Sequence, residues 1–332
     1  MTVLIAGGAG YIGSHMVYEV LEHGEEVVVL DNLSTGVRAL VAEKADFHQG
    51  DVGDISEVRR LIRDRSITAV IHFAASVVVP ESVASPLAYY ANNTVASRNL
   101  IEAAVLEGVK YFIYSSTAAV YGIPERNPIP ESASTDPINP YGRSKLVTEW
   151  ILQDAARVHD FRYVTLRYFN VAGADPQGRT GQSTPRATHL IKRACQVALG
   201  RWPVLEIFGT DFPTHDGTGV RDYIHVTDLV SAHILALRHL RGGGPSLTLN
   251  CGYGHGFSVR DVVSTMSKTT GRKIPIVESA RRAGDAPEII ADATQVRRAF
   301  QWRPRYDDLT KIVETSFAWE ARLNSAGALA NC

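Results

Sequence analysis

Three glycines between an apolar run and a helical pattern constrain this chain more than any other feature. Val3-Leu4-Ile5 leads into Gly7-Gly8-Ala9-Gly10-Tyr11-Ile12-Gly13, and a helix-like segment continues from Tyr11 to Glu22. Glycines at this spacing allow a tight strand-to-helix turn, close approach of a phosphate to backbone, and close packing of helix on strand. The same rhythm then repeats. Val27-Val28-Val29-Leu30 is followed by a polar turn at Asn32 to Gly36, and further strand patterns lie at Ala69–Phe73, Tyr111–Ser115 and Tyr163–Tyr168. Helical patterns fall at Ile55–Arg65, Leu87–Leu106 and Tyr141–His159. Alternation of this kind predicts a parallel sheet with helices on both faces. Right-handed crossovers then bring the C-terminal ends of the strands to one edge, where ligands bind.

After about Asn170 the texture changes. Val171 to Pro185 is rich in Gly, Pro, Gln and Thr and reads as loop, with helices expected over Thr188–Leu199 and Thr227–His239. Ser258-Val259-Arg260-Asp261 has the form of a capping box, with Asp in the usual place of Glu, opening a helix toward Thr270. The expected fold is α/β: a Rossmann-type doubly wound parallel sheet over residues 1–175, with a smaller mixed α/β lobe over 176–332 and some later elements packing back onto the first domain. A chain of 332 residues with 45% hydrophobic content can build cores for both.

Lys plus Arg is 34 and Asp plus Glu is 35, so no polyanionic partner is favoured and a nucleic-acid reader is not expected. Cys195, Cys251 and Cys332 are odd in number and far apart. They suit neither a disulfide framework nor a zinc site, and no metal is expected. Reduced thiols fit a cytoplasmic protein. MTVLIAGG lacks a basic leader and a usable apolar core, and no later apolar run is long enough to span a bilayer.

The helix start after the glycine turn offers unpaired N–H groups and partial positive charge to a pyrophosphate. Asp31 closes the second strand. A carboxylate there accepts from both adenosine ribose hydroxyls and repels a 2′-phosphate, so NAD is expected rather than NADP. Arg38 is the one nearby residue that favours NADP.

Tyr141 and Lys145 stand at i and i+4 on a predicted helix, and so share a face. A free tyrosine has a pKa of about 10 and is a poor base at neutral pH. Lowering it by about three units takes roughly 4 kcal/mol, which one cation about 4 Å away supplies at an effective dielectric near 20. Lys145 is the expected cation, joined by an oxidised nicotinamide, and Tyr141 the expected base. SSTAAVYG, Ser115 to Gly122, ends a predicted strand with three hydroxyls and then two alanines.

With these motifs quoted, the chain resembles the extended short-chain dehydrogenase/reductase family, and within it the UDP-sugar 4-epimerases. The resemblance covers nearly the whole chain through GGAGYIGSH, LDNLSTG, VIHFAA, YYANNT, SSTAAVYG, NPYGRSK, LRYFNVAGAD, GTGVRDYIHVTDL and RRAGDAPEIIAD. It implies interconversion of UDP-glucose and UDP-galactose through a 4-keto sugar. Related dehydratases carry an Asp-Glu pair where Ala118 and Ala119 stand, so elimination of water is not expected.

The resemblance implies that Thr117 bonds the C4 oxygen beside Tyr141 and Lys145. It implies that Gly7, Gly10, Tyr11, Ile12, Gly13, Asp31, Asn32, Asp51, Val52, Phe73, Ala74, Ala75, Asn92, Ser115 and Tyr168 meet the cofactor, together with Tyr141 and Lys145. Asn170, His189, Phe208, Arg221, Arg282, Asp285 and Ile289 are implied to meet the nucleotide sugar, the arginines clamping its diphosphate by bidentate bonds. Departures are Val77, where some members have a cofactor-binding Lys; His189, where some have Asn; and Ile289, where a bulky Tyr can gate the sugar pocket. The smaller Ile289 predicts room for an N-acetyl group. A homodimer through the helices near Leu87–Leu106 and Tyr141–His159 is implied as well. A UDP-pentose epimerase, a net oxidoreductase and a non-catalytic NAD sensor stay open as alternatives. Intact Tyr141, Lys145 and Thr117 count against the sensor.

Overall fold

The alternating strands of the first half assemble edge to edge in parallel. The computed structural model describes residues 1–184, 188–282 and 284–325. Strands β1 (Thr2–Ala6), β2 (Glu26–Asp31), β3 (Asp46–Gln49), β4 (Ile67–His72), β5 (Tyr111–Thr117) and β6 (Arg162–Tyr168) alternate with helices. The helices are α1 (Tyr11–Glu22), α2 (Ile55–Asp64), the short α3 (Val79–Ala84) and α4 (Pro86–Tyr89), α5 (Ala96–Leu106) and α6 (Pro140–Val158). The second half contributes β7 (Asn170–Ala172), α7 (Leu190–Ala198), β8 (Leu205–Phe208), β9 (Val220–Arg221), β10 (Tyr223–His225), α8 (Val226–Arg241) and β11 (Leu247–Cys251). It closes with β12 (Phe257–Ser258), α9 (Val259–Thr270), β13 (Ile276–Ser279), β14 (Glu288–Ile289), α10 (Thr294–Phe300) and α11 (Leu309–Ser325).

The main sheet has seven strands in the order β11-β6-β5-β4-β1-β2-β3, all parallel. Its direction of progression reverses between β1 and β4, the switch point of a Rossmann fold. Alternate residues of each strand feed opposite cores: Val3 and Ile5 join one apolar cluster with α1 and α8, whereas Leu4 and Ala6 join another with α2, α5 and Leu152 of α6. Burial on both faces is why these strands read as unbroken apolar runs.

β3 and β11 escaped the sequence reading. DFHQ is polar and sits at the sheet edge, and LTLNC lies far down the chain among elements of the smaller lobe. The Leu87–Leu106 pattern is also not one α-helix. α4 and α5 are joined by a π-turn over Tyr90–Val95, a wider turn that often marks functional sites. The capping box forms as expected: Ser258 Oγ accepts from the Asp261 N–H, and the Asp261 carboxylate accepts from the Ser258 N–H.

The glycine turn is packed at backbone distance. A Cβ at Gly13 would stand 2.1 Å from the Gly7 carbonyl oxygen, and one at Gly7, whose φ is +81°, 2.5 Å from the Ala74 nitrogen. Gly13→Ala must therefore push α1 off the sheet. An overpacking cost of about 1–3 kcal/mol is expected, read as a lower urea midpoint; an unchanged midpoint would show that the turn has slack.

Candidate active site

The parallel register places the strand ends side by side. Ala6 lies opposite both Leu30 and His72, and Thr117 opposite Tyr168. The expected site residues on these strands therefore meet along one edge.

At the β1 end, α1 starts after Gly10 with no side chain capping it and no acidic residue in its first turn. Its N–H groups and partial positive charge are left for an anion. Asp31 bounds this space at the end of β2. Its Oδ2 accepts from the Ala9 N–H (2.9 Å) and its Oδ1 from the Leu33 N–H (2.8 Å), which fixes the carboxylate while lone pairs remain. Burial pushes its pKa up against those two bonds. Asn32 donates to Asp51 at 3.1 Å, tying two expected cofactor residues together, while Val52 is buried in the core beneath. Arg38, the one NADP-like feature, stacks on the Phe47 ring at 4.4 Å. These groups fit a dinucleotide with an unphosphorylated adenosine ribose.

Past β4, Phe73 and Ala74 both donate N–H bonds to the Ala6 carbonyl, so the 73–75 segment runs directly beside the glycine turn. The π-turn lets two adjacent side chains reach the loop that follows. Asn92 Nδ2 donates to Ser76 Oγ, while Asn93 accepts from the Ser76 N–H and donates to its carbonyl and to Ser144 Oγ. Asn93 was missed in the sequence reading because only its neighbour belongs to the resembled pattern. Val77, beside this loop, is half-exposed.

Tyr11 Oη donates to the Gly173 carbonyl at 2.6 Å, and Ser14 and Thr180 share a hydroxyl bond of the same length. The first helix is thus tied to the loop that leads into the second half.

Tyr141 is the second residue of α6. Asn139 caps that helix by accepting from the Gly142 N–H (2.9 Å), with Pro140 at its first position. A Cβ at Gly142 would meet the Ala119 carbonyl at 2.6 Å, so the helix start rests on the turn formed by the two alanines. Thr117 Oγ1 accepts from the Ala119 N–H at 3.1 Å. Lys145 Nζ donates to the Ser115 carbonyl (2.9 Å) and lies 5.0 Å from the centroid of the Tyr114 ring. Thr117, Tyr141 and Lys145 are all buried.

The expected depression of Tyr141 by Lys145 is not what the protein's own groups produce. Burial pushes the phenol up, and a hydrogen bond with Thr117 only partly opposes it. Burial also lowers Lys145 to about 7, against the pull of Glu149. Desolvation outweighs the single cation here, and further positive charge has to come from a ligand. The Ser115 carbonyl accepts from Lys145, and its hydroxyl meets His233 Nε2 at 3.1 Å. His233 Nδ1 faces the Leu229 carbonyl (2.9 Å) and burial lowers this histidine to about 4, so its neutral Nε2 accepts the Ser115 proton.

In the smaller lobe, Ile289 pairs with Arg221 across β14 and β9 and packs on the cluster of Ala118, Tyr121, Leu146 and Phe169. That puts it beside the alanine turn. Arg221 donates to the Val220 carbonyl at 2.8 Å. The Arg282 guanidinium lies over the Phe208 ring at 3.7 Å, so these two expected substrate contacts face one another. The Asp285 N–H donates to the Arg282 carbonyl at 3.2 Å. Asn170 opens β7 and is exposed. His189 is not inside a helix as expected: α7 begins at Leu190, and His189 is its exposed N-cap, 3.4 Å from Gln182. Cys195 and Cys251 are free and buried; Cys332 lies outside the described residues. Among the described residues no helix is long and apolar enough to cross a membrane.

Known proteins share this arrangement. Residues 3–252 match the model of the NAD dependent epimerase/dehydratase family. The chain is 53% identical to the UDP-glucose 4-epimerase of Azospirillum brasilense over 98% of its own length and 93% of that protein's. The crystal structure of UDP-glucose 4-epimerase from Brucella ovis in complex with NAD superposes with a TM-score of 0.93 at 45% identity, over 96% of this chain and 97% of that one. The UDP-Glc/GlcNAc 4-epimerase from Campylobacter jejuni superposes with a TM-score of 0.85, also at 45% identity, over 97% and 99%. With both its fold and its sequence matched over nearly their full length, the chain belongs to the NAD dependent epimerase/dehydratase family.

Proposed function

We propose that this chain is an NAD-dependent 4-epimerase of UDP-sugars that interconverts UDP-glucose and UDP-galactose. The observation that carries the reading is the strand end itself: Thr117 beside Tyr141 and Lys145, with Ala118 and Ala119 where a dehydratase needs an acid and a base. NAD, when bound, would be held by the glycine turn, Asp31, the Asn32–Asp51 pair and the 73–75 segment, and would supply a reversible hydride acceptor for C4. Thr117 and Tyr141 hold the sugar's 4-oxygen. Tyr141 takes the 4-hydroxyl proton as C4 is oxidised, and returns it to the same oxygen after the 4-keto sugar has turned its other face. The alanines offer no group to carry the keto sugar on to loss of water.

Arg221, Arg282, Asp285 and Phe208, with Asn170 from just before the division at residue 175, form the nucleotide end of this reading. For UDP to enter, Arg282 has to leave the Phe208 ring face. Ile289 beside the alanine turn leaves more room than a tyrosine, and the Campylobacter jejuni relative is a UDP-Glc/GlcNAc 4-epimerase. This supports acceptance of UDP-N-acetylhexosamines. The galactose pathway and a cytoplasmic setting complete the proposal.

A homodimer forms through the Leu87–Leu106 and Tyr141–His159 segments on this reading. Leu87, Val95 and Trp150 are exposed apolar residues of those segments, Leu87 being 81% exposed.

The purified protein, with no cofactor added, is expected to convert UDP-galactose to UDP-glucose. Tyr141→Phe should lower kcat by about 10²–10⁴ with KM within a few-fold; a variant as fast as wild type would remove Tyr141 from the chemistry. Ile289→Tyr should lower kcat/KM for UDP-GlcNAc at least about ten-fold more than for UDP-galactose, on the scale at which pocket shape discriminates. Equal losses for both sugars would contradict the pocket assignment. In sedimentation velocity Leu87→Asp should shift a dimer to monomer; an unshifted boundary would place the interface elsewhere.

A further inference from the structure

One buried acid has no part in the chemistry above. Glu149 is fully buried, one helical turn beyond Lys145 on α6. Its Oε1 accepts from Ser116 Oγ and from Arg167 Nε (3.0 Å), and its Oε2 accepts from Arg167 Nε (3.2 Å) and a terminal guanidinium nitrogen (2.6 Å). Arg167 is itself 7% exposed and stands on β6 next to Tyr168. Its other arm donates to Tyr121 Oη (3.0 Å), which in turn donates to Asn250 on β11 (2.7 Å). One buried network therefore joins α6, β5, β6, β11 and the turn after Thr117.

The pattern at the end of β5 is sequential. The Ser115 carbonyl is held by Lys145, the Ser116 hydroxyl by Glu149, and Thr117 faces Tyr141. Tyr141, Lys145 and Glu149 are spaced i, i+4, i+8 and share one face of α6.

We propose that Glu149, anchored by Arg167 and Ser116, is the positioning residue of this site: it locks the end of β5 to the Tyr141–Lys145 face of α6 and sets a carboxylate one helical turn from the Lys145 ammonium. Among the described residues Glu149 is the one carboxylate acting on this lysine, and it opposes the loss of charge that burial causes. The other groups facing Lys145 cannot replace it. His72 of β4 is neutral, burial holding it at about 3, and Tyr114 of β5 offers its ring face and a phenol pushed well up by burial. Tyr141 on the same helix is likewise raised by burial. Without Glu149 the lysine loses its proton at lower pH, and the positive charge one helical turn from Tyr141 is lost with it.

The proposal rests on the epimerase reading for its kinetic consequence but not for its direct test. Selective ¹³C-lysine labelling, with Lys145→Met to identify the resonance, gives the Lys145 titration midpoint in wild type, Glu149→Gln and Glu149→Gln/Arg167→Gln. The double variant covers the case in which the single one fails to fold, because removing both members of a buried ion pair is far milder than stranding one. The expected result is a midpoint lower by about half to one pH unit in Glu149→Gln, which loses the nearby negative charge, and a smaller shift in the same direction in the double variant, which also loses the Arg167 cation. The alkaline limb of kcat with UDP-galactose should move with it, kcat should fall about ten-fold and KM should stay within about two-fold, the pattern of a positioning loss. A lower midpoint in a protein that does not turn over UDP-galactose at all would uphold the positioning role and overturn the substrate reading. An unchanged midpoint and pH limb, with only a lower Tm, would overturn the proposal and leave the pair a structural feature.

Discussion

The site depends on one contact, between the last three residues of β5 and one face of α6. Strand and helix come from sequence positions some twenty-five residues apart, and neither carries a complete site alone. The strand brings a carbonyl and two hydroxyls in succession; the helix answers with an ammonium, a carboxylate and a phenol spaced by single turns. Gly142 makes the approach possible, because any side chain there would run into the Ala119 carbonyl. Those alanines therefore have two consequences. On the proposed reading they leave no acid or base for an elimination, and they form the small turn on which the start of α6 rests.

This arrangement is costly to fold. Burial lowers Lys145 to about 7, far below its ordinary value. A lysine with a depressed folded pKa binds fewer protons than the unfolded chain between those two values. Its desolvation cost is therefore borne in full below pH 7, and is relieved as pH rises from about 7 toward the ordinary value near 10.4. Glu149 and Arg167 face the same problem and solve it by pairing, since a buried ion is tolerated only with its partner and its hydrogen bonds in place. A dinucleotide and a sugar hydroxyl are what such a pre-formed, desolvated set of groups is suited to receive.

The second half of the chain is not a separate appendage. β11 extends the main sheet beyond β6, α8 covers one face, and His233 of α8 takes the Ser115 hydroxyl. Tyr11 and Ser14 tie the glycine-turn helix to Gly173 and Thr180 from the other side. Cofactor-side and sugar-side elements are thus joined by short polar bonds near the reacting edge. Farther out, Ile289 and Arg221 sit on two-residue strands of a small three-stranded sheet, in which β9 lies between β12 and β14.

The glycine turn, Asp31, the Tyr141–Lys145 spacing and the rhythm of five strands were legible in the sequence. They are local: each rests on a backbone conformation, a helical period or an alternation that a few neighbouring residues dictate. The capping box at Ser258 is legible for the same reason. Glu149 was also in view, at helical spacing from Lys145, but an acid on a helix gives no sign of being buried until its arginine arrives from another strand. The same holds for the π-turn that aims Asn92 and Asn93 at one loop, for β11 joining the sheet from far along the chain, and for His189 falling just outside its helix. The direction of the Tyr141 shift belongs with them. Charge can be counted from sequence, but desolvation depends on what packs around the group, and that was decided only when β5, α6 and β6 came together.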